Sequence, residues 1–369
     1  MKRIGSLFQK IIEKDNIKQS IILASKGKKW RKAVKLVLSD LEGYSEKIHN
    51  LLKDGSYKPC KVRERFILEG SRRKLRHITT ISFYPDQIIH WCIIKQLEPY
   101  FIKWSYRLSC GSIKNRGSID ASRHIIKWLN IDFKNTKYCA KLDIRHFYQS
   151  IRHDYLINLL ESKFKDKNLM TLLVMIINHW QESEGIGLPI GFLPSQHFAN
   201  FVLTPLDFYI KQELKVKYYV RYMDDMVLFS SNKRKLHKAV QSIARYLDNA
   251  GLTLKKNWQV FKTDSRPLDF LGFRFYRDKT TLRKALMLKI SRTARKIRHK
   301  YSPKVNEAKS IMSYMGWIRH SDSYRFFKKR IESHINIKVA RKIISKFDSK
   351  RSKENENLQF GINNTATNN

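Results

Sequence analysis

Two runs of β-forming residues meet at a pair of acids. Tyr218-Tyr219-Val220-Arg221 leads into Tyr222-Met223-Asp224-Asp225, and Met226-Val227-Leu228-Phe229 leads out. Such a pattern folds as a hairpin with the carboxylates at its turn. Adjacent carboxylates repel, so holding them together costs free energy unless cations neutralise them. Hard oxygen ligands suit Mg²⁺, which one or two carboxylates plus substrate phosphates usually hold. The same residues also read as a solvated Asp-Asp turn, and four residues alone carry little weight. A third acid sits in Ala140-Lys141-Leu142-Asp143-Ile144-Arg145-His146-Phe147-Tyr148, where a strand ends and aromatics follow. One acid on one strand and two on a neighbouring hairpin can hold two ions about 3.5–4 Å apart for phosphoryl transfer. Taken alone, Asp143 reads first as the cap of the next helix, the commoner job for an Asp after a strand.

Charge supplies the partner. The chain of 369 residues has 74 Lys+Arg against 32 Asp+Glu, a formal +42 and a pI near 10.1. The excess runs along most of the sequence, so basic surface is built into the fold. Nucleic acid is the leading polyanion; an anionic membrane surface is the rival. No stretch of 18 apolar residues exists to span a bilayer, and no apolar signal core follows Met1-Lys2-Arg3. Cys60, Cys92, Cys110 and Cys139 lack Cys-x-x-Cys spacing and suggest neither zinc nor a disulfide framework. The expected location is the cytoplasm.

Along the chain, residues 1–55 read as basic helices. Ser25-Lys26-Gly27-Lys28-Lys29 has only one glycine, too few for a phosphate loop. Residues 61–83 alternate short β-like runs with basic clusters. Asp86 to Leu97 reads as an amphipathic helix with Ile88, Ile89, Cys92, Ile93 and Leu97 on one stripe. A strand with a short turn is expected over 137–151, helix over 154–180, a Gly/Pro loop over 185–194, then helix to about Leu214. Helix follows the hairpin near 233–250, then strands through Tyr276 and basic helix from about 283 to 347. The polar tail ending at Asn369 reads as disordered.

The ordered motifs resemble the palm of a reverse transcriptase, specifically the bacterial ones. Tyr222-Met223-Asp224-Asp225 is similar to that family's signature hairpin and Leu142 to Tyr148 to its first palm motif. Gly187-Leu188-Pro189-Ile190-Gly191 with Ser195-Gln196 and Ala199-Asn200 resembles its nucleotide and template loop. Phe270-Leu271-Gly272-Phe273 resembles the primer grip, and Ser313 to Trp317 with His320 to Tyr324 the thumb of group II intron enzymes. The resemblance covers about residues 20–340. It implies an α+β right-hand polymerase: an N-terminal basic helical region (1–60), fingers (61–136), a ferredoxin-like palm with part of the fingers inserted (137–278), a helical thumb (279–347) and the tail (348–369).

The resemblance also implies roles. Asp143 and Asp224 become the main Mg²⁺ ligands of a two-ion centre, with the Ile144 carbonyl assisting, Asp225 as outer or third carboxylate and Mn²⁺ as the alternative ion. Tyr148 falls where a bulky ring excludes a ribose 2′-OH, or is a core tyrosine. Gly191, lacking a Cβ, lets backbone approach nucleotide or template, with Ser195 and Gln196 beside it. Lys74 and Arg76 grip the triphosphate, or form a solvated basic strand. Lys255 or Lys256 is a general acid for pyrophosphate departure, or a surface charge. Arg283, Lys284, Lys289, Arg292, Arg295 and Lys296, extending to Lys300, track a phosphate backbone, or form a solvated helix face. Tyr314 and Trp317 read as thumb packing and His320 as structural.

Where many relatives have Pro-Gln-Gly this chain has Pro189-Ile190-Gly191, which resembles enzymes of diversity-generating retroelements and defence-associated groups. The expected partners are an RNA template or structured noncoding RNA, cDNA, dNTPs and a protein encoded nearby, with no membrane. No region resembling a ribonuclease H, endonuclease or integrase follows the thumb. The alternatives are a template-independent or repeat-synthesising polymerase on the same fold, and a non-catalytic RNA-binding scaffold.

Overall fold

The computed structural model describes residues 3–69, 74–298 and 303–349. The chain forms two compact units: Met1–Ala121 with Lys134–Phe261, and Ser122–Phe133 with Lys262–Asn369.

Four helices open the first unit: α1 (Leu7–Ile12), α2 (Lys14–Ser25), α3 (Lys32–Ser39) and α4 (Leu41–Lys53). Ile11, Ile17, Ile21, Val34 and Ile48 are fully buried. Asn16 in α2 donates to the Ile11 and Cys92 carbonyls at 2.9 and 3.2 Å, tying the group to a later helix. The antiparallel hairpin β1 (Arg63–Glu69) and β2 (Lys74–Thr80) follows, with Phe66 opposite His77 and Ile67 opposite Arg76. Helix α5 (Ile88–Trp104) buries the expected stripe but runs past Leu97 and through Pro99. Phe101 and Trp104 lie in the core, and that burial outweighs the proline's disfavour inside a helix. Helix α6 (Ser118–Ile131) had no counterpart among the expected elements.

The central sheet explains why the carboxylates meet. Its strands are β3 (Tyr138–Asp143), β4 (Tyr218–Tyr222), β5 (Asp225–Ser230) and β6 (Gln259–Lys262), in the spatial order β4-β5-β3-β6. With α7 (Phe147–Ser150), α8 (His153–Glu161), α9 (Lys167–Asn178), α10 (Leu193–Val202) and α11 (Thr204–Phe208) after β3, and α12 (Lys233–Asn249) after β5, this is the β-α-β-β-α-β order of a ferredoxin-like palm. Met226 to Phe229 on β5 and Cys139, Ala140 and Leu142 on β3 are all within 1% of full burial. That is why both strands read as apolar runs rather than alternating ones. The stretch expected as one helix over 154–180 breaks after Glu161, because Asp166 caps α9 by accepting from Leu169 N at 3.2 Å and also accepts from Phe8 N at 2.9 Å. Asn232 caps α12 in the same way, and Leu236, Ala239, Val240, Ile243 and Leu247 form its buried stripe.

The second unit contains the antiparallel strands β7 (Leu268–Phe270), β8 (Phe273–Phe275) and β9 (Thr280–Leu282). It also has helices α13 (Lys284–Arg298), α14 (Val305–Arg319), α15 (Tyr324–Phe327) and α16 (337–349). Trp317 packs on the β7–β8 turn. A Cβ at Gly272 would come within 2.8 Å of its ring, and Phe273 lies 5.1 Å from it. Among the described residues no helix is long and apolar enough to cross a membrane.

Candidate active site

Tyr222 pairs with Asp225 across β4 and β5, so Met223 and Asp224 alone form the turn. Two-residue hairpin loops favour a positive φ at the first central position, usually met by glycine. Here Met223 takes it, at φ 54. On the other side of β5, Asp225 lies directly opposite Asp143 of β3. Three carboxylates therefore share one end of the sheet. Burial, then the charge of Asp143, raises Asp224 above the usual carboxylate range. Burial, then Asp143 and Asp224, raises Asp225 to about 6, against opposing pulls from Lys141 and Lys255. Asp143 Oδ1 is buried without a hydrogen-bond partner, and Asp143 Oδ2 is ion-paired to Lys255 Nζ. The backbone repeats that link, since Lys255 N donates to the Asp143 carbonyl at 2.8 Å. Lys255, rather than the exposed Lys256, thus reaches the carboxylates.

The donors fit a hard divalent ion: facing carboxylates, one orphaned oxygen and raised protonation that a cation would reverse. Among the described residues no three His, Cys, Asp or Glu side chains already enclose an ion-sized space. A pH effect follows. A carboxyl whose pKa rises on folding stabilises the fold when protonated, and that contribution fades as pH climbs from about 4 through about 6. In EDTA, the unfolding free energy of the parent chain should fall relative to Asp225→Asn by on the order of 1–2 kcal/mol over that window, allowing for partial exposure. Chemical denaturation of both at a series of pH values measures it; parallel curves would contradict it.

The turn is held from behind by a buried polar cluster. Arg221 and Asp207 are both 0% exposed, joined by Nε–Oδ1 and Nη2–Oδ2 contacts of 2.8 and 2.6 Å. Tyr219 donates to the same Asp207 at 2.7 Å. Arg221 Nη1 donates to Asn200 Oδ1 at 3.0 Å and to the Met223 carbonyl at 2.9 Å. Asn200 Nδ2 donates to the Gly111 carbonyl at 2.7 Å. Gly111 in turn packs so closely that a Cβ there would stand 2.7 Å from Met223 N, Cγ and Sδ. Two backbone bonds clamp the segment beside β4: Arg221 N to the Leu108 carbonyl at 3.0 Å, and Cys110 N to the Arg221 carbonyl at 2.8 Å.

The family model described as "Reverse transcriptase (RNA-dependent DNA polymerase)" matches residues 67–275, which hold every element of this site. The chain belongs to the reverse transcriptase family. It is 27% identical over 226 residues to the group II intron-encoded protein LtrA of Lactococcus lactis subsp. cremoris, covering 58% of this chain and 36% of that one. It is 29% identical over 147 residues to the retron Ec73 reverse transcriptase of Escherichia coli, covering 36% of this chain and 45% of that one. The chain thus spans less than half the length of either relative. Among solved structures, the telomerase of Candida albicans in complex with a TWJ fragment of telomeric RNA aligns over 74% of this chain and 56% of that one, at 14% identity and a TM-score of 0.47.

The other residues expected to act in this reverse transcriptase fall in different settings. Tyr148 is half-buried; burial and the charge of Asp224 both raise its phenol, which places it within electrical reach of the turn. Ile144 bridges to Leu254, and the two hydrogen bonds of that bridge use Arg145 N and the Asp143 carbonyl rather than the Ile144 carbonyl. Ser195 is buried and Gln196 exposed. Arg76 is half-buried on β2, on the same face as Ile67; the side chain of Lys74 lies outside the described residues, as do Lys300 and most of the tail. Lys284, Lys289, Arg292, Arg295 and Lys296 are exposed on α13, opposite buried Ile290, Ala294 and Ile297. Arg283 instead pairs with Asp269 through Nε at 2.6 Å. His320 ends α14.

Gly191 has a reason of its own. Its φ is +133, and a Cβ would lie 2.1 Å from the Thr79 carbonyl oxygen. Thr79 N also donates to the Ile190 carbonyl at 2.9 Å, so this loop anchors the β1–β2 hairpin. Gly191→Ala should destabilise the chain by about 2–3 kcal/mol through overpacking and backbone strain. An unchanged denaturation midpoint would contradict this. Sequence reading passed over Asp207, gave Arg221 no role and placed Asn200 only in the nucleotide and template loop, although an arginine inside an apolar strand was the available signal.

Proposed function

We propose that the chain is an RNA-directed DNA polymerase that adds dNTPs to a primer 3′-OH using two divalent ions, Mg²⁺ in preference to Mn²⁺. The observation that carries this reading is Asp143 with its orphaned buried oxygen, opposite Asp225 and beside the Asp224 turn, inside a reverse transcriptase domain. Asp143 and Asp224 would hold the ions and Asp225 would complete the negative field. Bound there, the ions would supply Lewis acidity and an in-line clamp on the attacking and leaving oxygens. Lys255 Nζ would partly neutralise Asp143 between turnovers and would protonate the departing pyrophosphate; its ion pair with Asp143 supports choosing it over Lys256. Arg76 and Lys74 would grip the triphosphate, Ser195 and Gln196 would border the nucleotide loop, and Lys284, Lys289, Arg292, Arg295 and Lys296 would follow the duplex backbone.

Tyr148 would exclude the 2′-OH of an rNTP. Tyr148→Val should narrow the dNTP-over-rNTP ratio of kcat/KM by about 10–200-fold, the value of about 1–3 kcal/mol of steric discrimination. Single-nucleotide incorporation kinetics measure the ratio, and an unchanged ratio would remove the gate.

The template is a dedicated noncoding RNA of a diversity-generating retroelement, with antiphage defence as the second setting; Ile190 in place of the usual glutamine supports both. Purifying the chain, sequencing its co-purifying RNA and supplying dNTPs with Mg²⁺ tests the proposal. cDNA matching that RNA is expected, with errors concentrated at one template base if the element diversifies sequence. Template-free repeats would replace this reading with the repeat-synthesising one, and absence of any product would leave the scaffold.

A further inference from the structure

A second concave site lies at the far end of the same sheet, roughly 15 Å along the strands from the carboxylate turn. It is a cavity of about 320 Å³ lined by Lys215, Lys217, Lys235 and Lys238, with Glu213 as its one acid and Ser231 among its hydroxyls. Two features of its walls suit an anion. Four exposed lysines line one concavity, where their like charges repel. The first turn of α12 is Lys233-Arg234-Lys235, with no acid, at the positive end of the helix dipole. The wall is also rigid. Lys211 Nζ donates to the carbonyls of Val216 and Lys217 at 2.7 and 2.8 Å, and Val216 N bonds the Ile210 carbonyl at 3.1 Å, which fixes the turn that carries Lys215.

A multiply charged anion offsets the mutual repulsion of these lysines. We propose that this cavity is a phosphate-binding site, separate from the polymerase centre, that takes the phosphates of a nucleotide or of an RNA strand. Its volume is at the small end of ligand pockets. Lysine binds phosphate as a point charge and needs no bidentate geometry. Bound RNA would be anchored at the back of the palm, leaving the carboxylate end free for chemistry. The site does not depend on the polymerase assignment.

Lysine footprinting of the full chain tests this. Acetylation rates at Lys215, Lys235 and Lys238 are read by mass spectrometry and normalised to the exposed Lys10 and Lys167. The probes are ATP without divalent ions and, separately, a short single-stranded RNA, both at elevated salt to suppress diffuse binding. The expected result is several-fold slower acetylation of the three lysines than of the two references. Protection by ATP identifies a free nucleotide as a sufficient ligand; protection by RNA alone identifies the strand. Equal rates with and without both probes would overturn the proposal. In the Lys215→Glu/Lys238→Glu variant, checked for an unchanged melting curve, protection at Lys235 should disappear; its persistence would also overturn it.

Discussion

Asp143→Asn and Asp224→Asn should each slow primer extension by about a thousandfold or more, a loss of about 4 kcal/mol of transition-state stabilisation. Asp224→Asn should nonetheless melt higher than the parent chain. Asparagine keeps the shape of the turn but cannot ionise. Burial and the charge of Asp143 both push the Asp224 carboxyl toward its neutral form, so the folded chain bears an electrostatic cost that the amide lacks. The gain should be on the order of 1 kcal/mol without divalent ions, and Mg²⁺ should narrow it by stabilising the parent chain selectively. Asp143→Asn should differ, because it strips Lys255 of its partner; that lysine side chain is 34% exposed and tolerates the loss at little cost. Primer extension and thermal melts, each with and without Mg²⁺, read these effects. Retained polymerisation by Asp224→Asn would remove the carboxylate from the chemistry. An equal melting temperature in EDTA would mean that the acids are not in electrostatic conflict.

Much of the palm was readable because its signals are local. β4 and β5 are continuous apolar runs around two acids, and α12 carries its cap and stripe within one stretch of chain. The third acid was legible as a strand end, and the register placing Asp143 opposite Asp225 needed only the right strand order. The rest rests on long-range contacts. Lys255 and Lys256 are indistinguishable as a dipeptide; a bridge between Ile144 and Leu254 brings the first of them to Asp143. Proline normally ends a helix, yet Pro99 sits inside α5 because Phe101 and Trp104 gain more from burial than the proline loses. Gly191 reads as a place for a substrate to approach; the structure adds a second reason for the glycine, since the nearest atom to its missing Cβ belongs to the chain itself, at Thr79. Asp207 carries no signal in its own helix. Its meaning comes from Arg221, fourteen residues later, and from an interior where neither can stay charged alone.

That interior pair sets the largest expected effect on stability. Asp207→Leu should cost about 3–5 kcal/mol, because it leaves the Arg221 guanidinium buried with no counter-charge. Against a typical margin of 5–15 kcal/mol, the variant should lose most of its reserve. The double variant Arg221→Met/Asp207→Leu should recover much of it, since apolar side chains of similar volume often replace a buried ion pair without net loss. Activity should not recover with it. Met223 occupies a left-handed backbone that costs a non-glycine residue about 1–2 kcal/mol, and Arg221 Nη1 on its carbonyl is one of the contacts that hold it there. Without that bond and the one to Asn200, the turn is held less firmly and can relax, and Asp224 moves with the turn. The double variant should therefore unfold at nearly the parent denaturant concentration yet extend primers at least about tenfold more slowly, with a raised Mg²⁺ requirement. Full activity at restored stability would reduce Arg221 to charge balance. Weak stability in the double variant would mean that the cluster is needed for folding itself. The expected split, stability without activity, marks Arg221 as the residue through which the core aims the carboxylates.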